Sequence, residues 1–292
     1  MKKIEDNYYQ LALNFHRLLQ SEVYQGNNCL TPQMHQYLKG YYPNFLKHPN
    51  LIRFYEYNWV RRMINIIPFI KEQPSTVRIL DAGCGVGSES IFFSYLNPLA
   101  EITGIDCHLP FFQLAQNRVH YWENIVKMPL HIAFKRGNIL DFSPTEPFDI
   151  IWVEEAISHI YPPDLFIQKM YQYLKNDGLI FISDTNLLNP YMYYKILKMR
   201  GFRQAELIES KDEETGKPLK VFEENIFTAF GMEKLLRRYK FNILSRETHG
   251  FLPPSIFSCS HNISKKVEVL FSGIPFIGLL GGIYTVIGKK SA

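Results

Sequence analysis

The sequence predicts an α/β fold in which a doubly wound sheet is covered by helices on both faces. The first observation is an alternation of apolar strands and helical segments that begins near residue 77. The second is a glycine-rich turn between the first strand and the helix that follows it. The third is the spacing of the strands, which favours parallel connections. The predicted strands cover residues 77–80, 101–106, 130–134, 148–153 and 179–182.

Helices are predicted before this alternation, and two long segments interrupt it afterwards. Apolar residues recur at helical spacing over residues 4–25, and an aromatic-rich helical stretch follows. We expect residues 1–75 to form a helical lid, since lids exclude water, and residues 76–292 to form the α/β domain. The segments at about 185–225 and 251–280 are longer than usual connections. We therefore expect them to be insertions that act as lids or binding elements.

The composition is that of an ordinary globular protein. Hydrophobic residues make up 46% and charged residues 21% of the 292 residues, which excludes a disordered, collagen-like or polytopic membrane protein. The formal net charge is +4 and the basic residues occur only in short pairs, so charge gives little support for nucleic-acid binding. The four cysteines form no Cys-x-x-Cys pair, which favours reduced thiols over a metal site or a disulfide framework.

The chain start and one C-terminal segment bear on the relation to membranes. The N-terminus lacks the apolar core of a signal peptide, which favours a cytoplasmic location. Residues 269–288 carry no charge and could span a bilayer by length alone. Pro275 and five glycines in this segment favour a short helix, a turn and a strand at 283–287 instead. We therefore expect no transmembrane span, while peripheral contact with a membrane surface stays open.

The glycine-rich turn reads Asp81-Ala-Gly83-Cys-Gly85-Val-Gly87 and lies between the first strand and a helix. Glycine permits a tight turn and lets a ligand approach the backbone closely. The start of the helix offers unpaired N–H groups and a partial positive charge. Alone, this is weak support for a ligand site, because any strand-to-helix turn can use glycine.

Three polar residues near strand ends strengthen this interpretation. Asp81 can accept hydrogen bonds from an ammonium group or from a water molecule. Asp106 ends the second strand, and one carboxylate there can hold both hydroxyls of a ribose. Asn138 follows the third strand, and its amide can read the edge of an adenine. Each residue could instead cap a helix or a turn, but in this order they favour an adenosine-containing ligand.

With these residues in place, positions 77–184 resemble the core of the class I S-adenosylmethionine-dependent methyltransferases of the small-molecule type. The turn matches the acidic-x-Gly-x-Gly-x-Gly signature of that family, whereas the usual Asp after the third strand is Asn138 here. The resemblance implies a Rossmann-like, mostly parallel sheet with an antiparallel C-terminal strand. It also implies S-adenosyl-L-methionine as cofactor and S-adenosyl-L-homocysteine as product. The cofactor-binding residues that it implies are Asp81, Gly83, Gly85, Gly87, Asp106, Asn138 and Ile139.

Rival motifs fit less well. A nicotinamide dinucleotide site needs Gly-x-Gly-x-x-Gly, but Ser88 stands at the third glycine. Tyr191 and Lys195 spell the Tyr-x-x-x-Lys of short-chain dehydrogenases, yet Ser183 lies too close before them to serve as the matching serine. The tripeptide at 189–191 resembles the Asn-Pro-Pro-Tyr motif of amino-directed DNA methyltransferases, but it follows the fifth strand instead of the fourth.

Glu155 and His159 follow the fourth strand and are the candidate catalytic residues; they resemble the Glu-x-x-x-His stretch of the family. Being four residues apart, they would share a face of a helical turn, at a strand end that borders the expected cofactor cleft. His159 is the better base, since an imidazole can accept a proton near neutrality. It could instead only pack the turn. His249 and His261 are reserve candidates from the C-terminal insertion.

The sequence thus predicts an enzyme that methylates a small molecule, most simply at oxygen, with a natural product or a lipid-linked or saccharide acceptor as substrate. The substrate could be apolar, because the insertions are rich in apolar and aromatic residues. A non-catalytic S-adenosylmethionine-binding regulatory protein and, with less support, an NAD(P)-dependent oxidoreductase remain as alternatives. Methylation of a protein or a nucleic acid has weaker support still. The oligomeric state is not fixed by the sequence.

Overall fold

A computed structural model describes residues 2–42, 51–73, 75–201, 205–211, 216 and 218–291, without the side chains of residues 2–5, 200 and 210. Parts of the expected lid (43–50 and 74) and of the first expected insertion (202–204, 212–215 and 217) lie outside the described residues. The chain forms two units. The first consists of Met1–Arg136 with Pro254–Ser264, and the second of Gly137–Pro253 with Lys265–Ala292.

The helices of the described residues begin with four that precede the sheet: α1 Lys2–Gln25, α2 Pro32–Tyr41, α3 Ile52–Met63 and α4 Ile67–Lys71. The others are α5 Ser88–Leu96, α6 Leu109–Val126, α7 Pro163–Tyr173, α8 Pro190–Arg200, α9 Ala229–Arg238, α10 Pro254–Cys259 and α11 His261–Gly273. Short 3₁₀ turns cover Ile157–His159 and Ile277–Leu279. Helices α2, α8 and α9 begin at side-chain caps: Thr31, Asn189 and Thr228 each accept a hydrogen bond from a backbone N–H three residues later.

The strands are β1 Arg78–Ala82, β2 Glu101–Asp106, β3 Ile132–Arg136, β4 Phe148–Glu154, β5 Leu174–Thr185, β6 Leu207–Lys211, β7 Pro218–Phe222, β8 Phe241–His249 and β9 Ile283–Lys290. Seven of them belong to one sheet, whereas β6 and β7 form a separate antiparallel hairpin.

In the first unit, β1, β2 and β3 run parallel, with β2 in the middle. Arg78 pairs with Glu101 at one end of the β1–β2 ladder, and Ala82 pairs with Ile105 at the other. Four successive residues of β1, starting at Ile79, are buried. Such continuous burial is typical of parallel strands that are covered on both faces.

In the second unit, β4 and β5 run parallel, and β9 runs antiparallel to both of its neighbours, β5 and β8. The sheet is therefore mostly parallel with an antiparallel C-terminal strand, which confirms the fold class expected from the sequence. The first expected insertion contains the β6–β7 hairpin, which the sequence did not predict. Its strands are short, and Leu207 and Ile208 are exposed, so it lacks the buried alternating face on which strand prediction depends.

The uncharged segment at residues 269–288 has the predicted organisation. Helix α11 ends at Gly273, the 3₁₀ turn Ile277–Leu279 follows, and β9 begins at Ile283. None of the helices among the described residues has both the length and the apolar character needed to cross a membrane.

A buried ion pair joins α1 to α6. Both nitrogens on one edge of the Arg118 guanidinium donate to Glu22, from Nε to Oε1 at 2.9 Å and from Nη2 to Oε2 at 2.7 Å, and neither side chain is exposed. Trp122 Nε1 and Asn27 Nδ2 also donate to this carboxylate. Burial alone would lower the pKa of Arg118, but the charge and hydrogen bonds of Glu22 raise it. The pair is thus fully hydrogen-bonded, as a buried pair must be to be tolerated.

Replacing Glu22 by glutamine should leave the buried guanidinium without a counter-charge. We expect Glu22→Gln to lower the free energy of unfolding by about 3–5 kcal/mol, as measured by urea denaturation. Asp177→Asn removes the charge from an exposed pair with Lys289 and should change it by less than about 1 kcal/mol. Equal stability of the Glu22 variant and the parent would show that the pair does not stabilise the fold.

Candidate active site

The glycine-rich turn connects β1 to α5 with left-handed backbone at alternate residues. Gly83, Gly85 and Gly87 have φ angles of 84°, 51° and 76°, which glycine adopts at little cost. The N–H groups of Gly83 and Cys84 both donate to the carbonyl oxygen of Ile105, at 2.9 and 3.0 Å. The turn is therefore fastened to the end of β2.

Two of these glycines lie against aromatic side chains that leave no room for a Cβ atom. A Cβ on Gly85 would lie 2.5 Å from the hydroxyl oxygen of Tyr41, and one on Gly87 would lie 2.5 Å from the ring of Phe134. The Tyr41 ring also packs edge-on against Phe111, with 5.1 Å between ring centroids. Tyr41, the last residue of α2, thus covers the turn. The sequence did not single it out, because it is one of many aromatic residues in the N-terminal region.

Asp106 is held at the turn by two backbone donors. The N–H of Gly85 donates to Oδ2 at 2.9 Å, and the N–H of His108 donates to Oδ1 at 2.8 Å. Burial raises the pKa of Asp106, while these two donors act in the opposite direction. Each carboxylate oxygen has a second lone pair, so the fixed carboxylate can still accept hydrogen bonds from a ligand. The structure therefore brings together the turn and Asp106, as the sequence predicted.

Asp81 lies beneath the turn and is almost fully buried, with 2% of its surface exposed. Its Oδ2 accepts a hydrogen bond of 2.6 Å from the Ser90 hydroxyl. Burial, and then the negative charge of Glu89, raise the pKa of Asp81 to about 8. Asp81 is thus mainly protonated at neutral pH in this structure, and a neighbouring cation would favour its ionised form.

The first turn of α5 is also hydrogen-bonded to the N-terminal helical region. The hydroxyl groups of Tyr42 and Ser88 lie 2.6 Å apart, and Trp59 Nε1 donates to Glu89 Oε1 at 2.8 Å. Burial raises the pKa of Glu89. Ser88 and Glu89, which follow the glycine turn, are therefore hydrogen-bonded to residues of the N-terminal region.

Asn138 and Ile139 belong to the second unit, after the end of β3. The Asn138 side-chain oxygen accepts from the N–H of Leu140 at 2.9 Å, and its backbone carbonyl accepts from the N–H of Asp141 at 2.9 Å. These are the contacts of a turn residue. Ile139 is buried. Contact of these two residues with an adenine stays a prediction.

Glu155 and His159 are both exposed after β4, but their geometry differs from the expected one. Glu155 has a left-handed φ of 47°, and only Ile157–His159 form a 3₁₀ turn. The expectation that the two residues share one helical turn is therefore wrong, because the backbone at Glu155 interrupts the helix. Nδ1 of His159 lies 3.2 Å from the carbonyl oxygen of Phe222, at the end of β7. The β6–β7 hairpin thus contacts the candidate base.

Asp184, near the end of β5, is a further candidate that the sequence analysis did not identify. Its Oδ2 accepts from the N–H of Ser158 at 3.2 Å, and its Oδ1 accepts from the N–H of Thr185 at 2.6 Å. Burial, and then the charge of Glu155, raise the pKa of Asp184 to about 6. The sequence feature that could have identified Asp184 is its position near the end of a strand, which resembles the position of Asp106.

The two reserve histidines lie on other elements of the chain than Glu155, His159 and Asp184. His249 ends β8 and is buried. The ring of His261 packs against Phe257, with 5.4 Å between ring centroids.

The mostly parallel sheet and the glycine-rich turn are those expected of class I S-adenosylmethionine-dependent methyltransferases. The chain belongs to this family, since the model of the family described as a methyltransferase domain matches residues 74–238, more than half of its length.

The curated relatives carry related names. The ubiquinone biosynthesis O-methyltransferase of Glaesserella parasuis serovar 5 (strain SH0165) is 35% identical over 115 residues, which are 37% of this chain and 45% of that protein. The mitochondrial ubiquinone biosynthesis O-methyltransferase of Mus musculus is 30% identical over 112 residues, 38% of this chain and 30% of that protein. The chain thus spans less than half of the length of these relatives.

Solved structures share the fold at low identity. A methyltransferase from Methanosarcina mazei gives a TM-score of 0.53 at 18% identity and covers 77% of this chain and 97% of its own. The [4+2]-cyclase SpnF gives 0.52 at 16% identity, over 80% of this chain and 82% of its own. At such identities the likeness shows the fold alone.

The raised pKa of Asp81 predicts a pH-dependent stability. As pH rises from about 4 to about 8, Asp81 ionises in the unfolded chain but stays protonated in the folded one, so the folded state loses stability. Asp81→Asn removes this loss, since the amide oxygen can still accept from Ser90. We expect the melting temperature of the variant, relative to the parent, to rise by more than about 3 °C over this range.

Differential scanning calorimetry at several pH values would measure this difference. Asp141→Asn changes an exposed aspartate and is the matched control, whose melting temperature should follow that of the parent at every pH. A constant difference between the Asp81 variant and the parent would mean that Asp81 ionises normally in the folded protein.

Proposed function

We propose that the protein transfers the methyl group of S-adenosyl-L-methionine to a small-molecule acceptor, most simply to a hydroxyl oxygen. The observation that carries this proposal is the Asp106 carboxylate, which the N–H of Gly85 holds beside the glycine turn at 2.9 Å. A fixed carboxylate next to a glycine-rich turn suits a ribose, whose adjacent hydroxyls are paired donors.

Other residues of the first unit suit the remainder of the cofactor. Tyr41 covers Gly85 with its ring and hydroxyl, so it can shield the bound adenosyl group from water. Asp81 would ionise beside the ammonium group of the methionine part, because a nearby cation lowers the pKa of a buried carboxyl. When bound, S-adenosylmethionine supplies an electrophilic methyl group on a sulfonium.

His159 is the proposed base for a hydroxyl acceptor. The carbonyl oxygen of Phe222 can only accept, so the 3.2 Å contact requires Nδ1 of His159 to carry the proton. In the neutral imidazole, Nε2 then has the lone pair. Nε2 can take the hydroxyl proton as the oxygen bonds to the methyl carbon and the carbon–sulfur bond breaks, which leaves a thioether. Asp184 and Glu155 are proposed to position the loop that carries His159, since Asp184 accepts from the N–H of Ser158.

Two findings favour oxygen as the acceptor atom and a small molecule as the substrate. Curated relatives are named O-methyltransferases, and the β6–β7 hairpin contacts His159 with a segment outside the core strands. The second candidate function is that of a regulatory protein that binds S-adenosylmethionine without transferring its methyl group. SpnF, which shares the fold, is described as a [4+2]-cyclase, so the fold by itself does not require methyl transfer.

Asp106→Ala tests the cofactor site. Loss of hydrogen bonds to a charged group should weaken binding of S-adenosylhomocysteine by roughly 1.5–3 kcal/mol in isothermal titration calorimetry. Glu101→Ala is a matched control, because Glu101 is an exposed acidic residue at the other end of the same strand, and it should bind like the parent. Tight binding of NADH by the parent without binding of S-adenosylhomocysteine would refute the cofactor assignment.

His159→Ala tests the proposed base. Methyl-labelled S-adenosylmethionine and a small-molecule cell extract would be incubated with each variant, and labelled products would be followed by mass spectrometry. We expect His159→Ala to form the labelled product about 10²–10⁴-fold more slowly than the parent, with unchanged affinity for S-adenosylhomocysteine.

His120→Ala, which changes another exposed histidine, should retain the parental rate. A near-parental rate for His159→Ala would mean that alignment and desolvation act on an acceptor that needs no base. Cofactor binding without any labelled product from the parent would favour the non-methylating alternative.

A further inference from the structure

A group of large apolar side chains in the second unit is exposed to solvent. Val269, Leu270, Phe276, Ile277 and Leu280, at the end of α11 and in the turn after it, are called the C-terminal apolar surface. Their exposed fractions are 65%, 60%, 84%, 36% and 37%. Single exposed apolar residues are ordinary, whereas several within twelve residues of chain indicate an interaction surface.

Phe276 combines the highest of these exposures with a strained backbone. Its φ and ψ are 68° and −48°, and the N–H of Ile277 donates to the carbonyl oxygen of Pro275 at 2.9 Å. This is a γ-turn with positive φ, which is rare and strained in L-residues. The strain presents an aromatic ring to solvent and buries nothing in return. Strain of this kind is concentrated at functional sites.

The exposed charged residues next to this surface in the chain are basic. Residues 251–291 contain one acidic residue, Glu268, and it is buried, accepting from the N–H groups of Gly250 and Leu252 at 2.9 Å each. Lys266 is exposed and lies three and four residues before Val269 and Leu270, on the same helix face. A cation thus flanks the exposed apolar side chains.

Helix α8 also carries exposed apolar and basic side chains, and its start is hydrogen-bonded to residues 279–281. Residues 185–205 contain no Asp or Glu, and the exposed residues of α8 include Lys195 and Lys198. Tyr193, Tyr194 and Met199 on α8 are exposed by 45%, 61% and 65%.

Two asparagine amides connect the segments. Asn186 Nδ2 donates to the carbonyl oxygens of Leu279 and Gly281, at 2.9 and 2.8 Å, and Asn189 Nδ2 donates to that of Leu280 at 2.6 Å. The start of α8 is therefore fixed to the end of the apolar turn, and the two cationic, apolar segments are neighbours.

We propose that the C-terminal apolar surface docks the protein on the surface of an anionic phospholipid bilayer. Phe276 and Leu270 enter the boundary between headgroups and acyl chains, where aromatic and aliphatic side chains are favourable. Lys266 and the lysines of α8 face lipid phosphates, and the tyrosines of α8 lie at headgroup level. Docking of this kind is peripheral and does not depend on methyl transfer.

Vesicle co-sedimentation tests the proposal with the full chain. The parent should sediment with vesicles of phosphatidylcholine containing about one quarter phosphatidylglycerol, and less with phosphatidylcholine alone. Phe276→Asp should lower the apparent affinity about tenfold or more, since a carboxylate is unfavourable in the acyl region and is repelled by anionic lipid. Lys266→Gln should lower it about fivefold at low salt, through the loss of one favourable charge.

Leu99→Asp is the matched control. Leu99 is similarly exposed, at 57%, but lies in the first unit, and the variant should bind vesicles like the parent. Phe276→Trp provides a spectroscopic readout, because the three native tryptophans are buried. Its emission should shift to shorter wavelength when anionic vesicles are added, after subtraction of the parental spectrum.

Three outcomes would overturn the proposal. The parent could stay in the supernatant with anionic vesicles, or Phe276→Asp could bind vesicles as well as the parent does. The Phe276→Trp emission could instead shift with protein concentration in the absence of lipid, with a dimer in sedimentation velocity. That result would assign the surface to a second copy of the chain.

Discussion

The buried pair of Glu22 and Arg118 is the constraint on which the arrangement of the first unit depends. Two edges of one guanidinium are used: Nε and Nη2 bind Glu22, while Nη1 donates to the carbonyl oxygen of Val86 and to Ser88. Arg118 therefore ties helix α1 directly to the glycine turn. Burying both charges is costly and is compensated only with all of these partners in place. Helix α1 therefore cannot move relative to the glycine turn unless the hydrogen bonds of Arg118 break.

Buried carboxyl groups near strand ends are the second common element. Asp106 is the last residue of β2, and Asp81 and Asp184 are the penultimate residues of β1 and β5. Burial raises the pKa of each. Different hydrogen bonds offset the cost of burying these carboxyl groups. Asp81 accepts from a hydroxyl group, whereas Asp106 and Asp184 each accept from two backbone N–H groups. Fixed carboxyls of this kind cost stability in the absence of a ligand but need no rearrangement when one binds. The three strand ends thus share a carboxyl group that hydrogen-bond donors hold in place.

Much of the core could be predicted from the sequence because its determinants are local. The apolar run of β1 and the alternate glycines of the turn each specify their own backbone, and Asp106 lies where the end of β2 places it. The contact of Tyr41 with the turn depends on long-range packing, which no local pattern encodes. Asp184 has the same local signal as Asp106, a position near a strand end, but the sequence analysis did not use it. The left-handed backbone at Glu155 has no local signal either, because residues other than glycine rarely adopt it. The sequence therefore predicted the glycine turn and the position of Asp106 better than it predicted the backbone around Glu155.

The distribution of these features along the chain has a consequence for substrate choice. The family model ends at residue 238 and begins at residue 74, so Glu22 and Tyr41 lie before the shared domain and the C-terminal apolar surface lies after it. The shared part specifies the sheet and the glycine turn, which any acceptor of the methyl group would use equally. Recognition of one acceptor over another needs groups that differ between relatives, because specificity is a difference of affinities. In this chain the N-terminal helices and the segment from α10 to β9 lie outside the shared domain. The acceptor of a relative therefore cannot be transferred to this chain through the core alone.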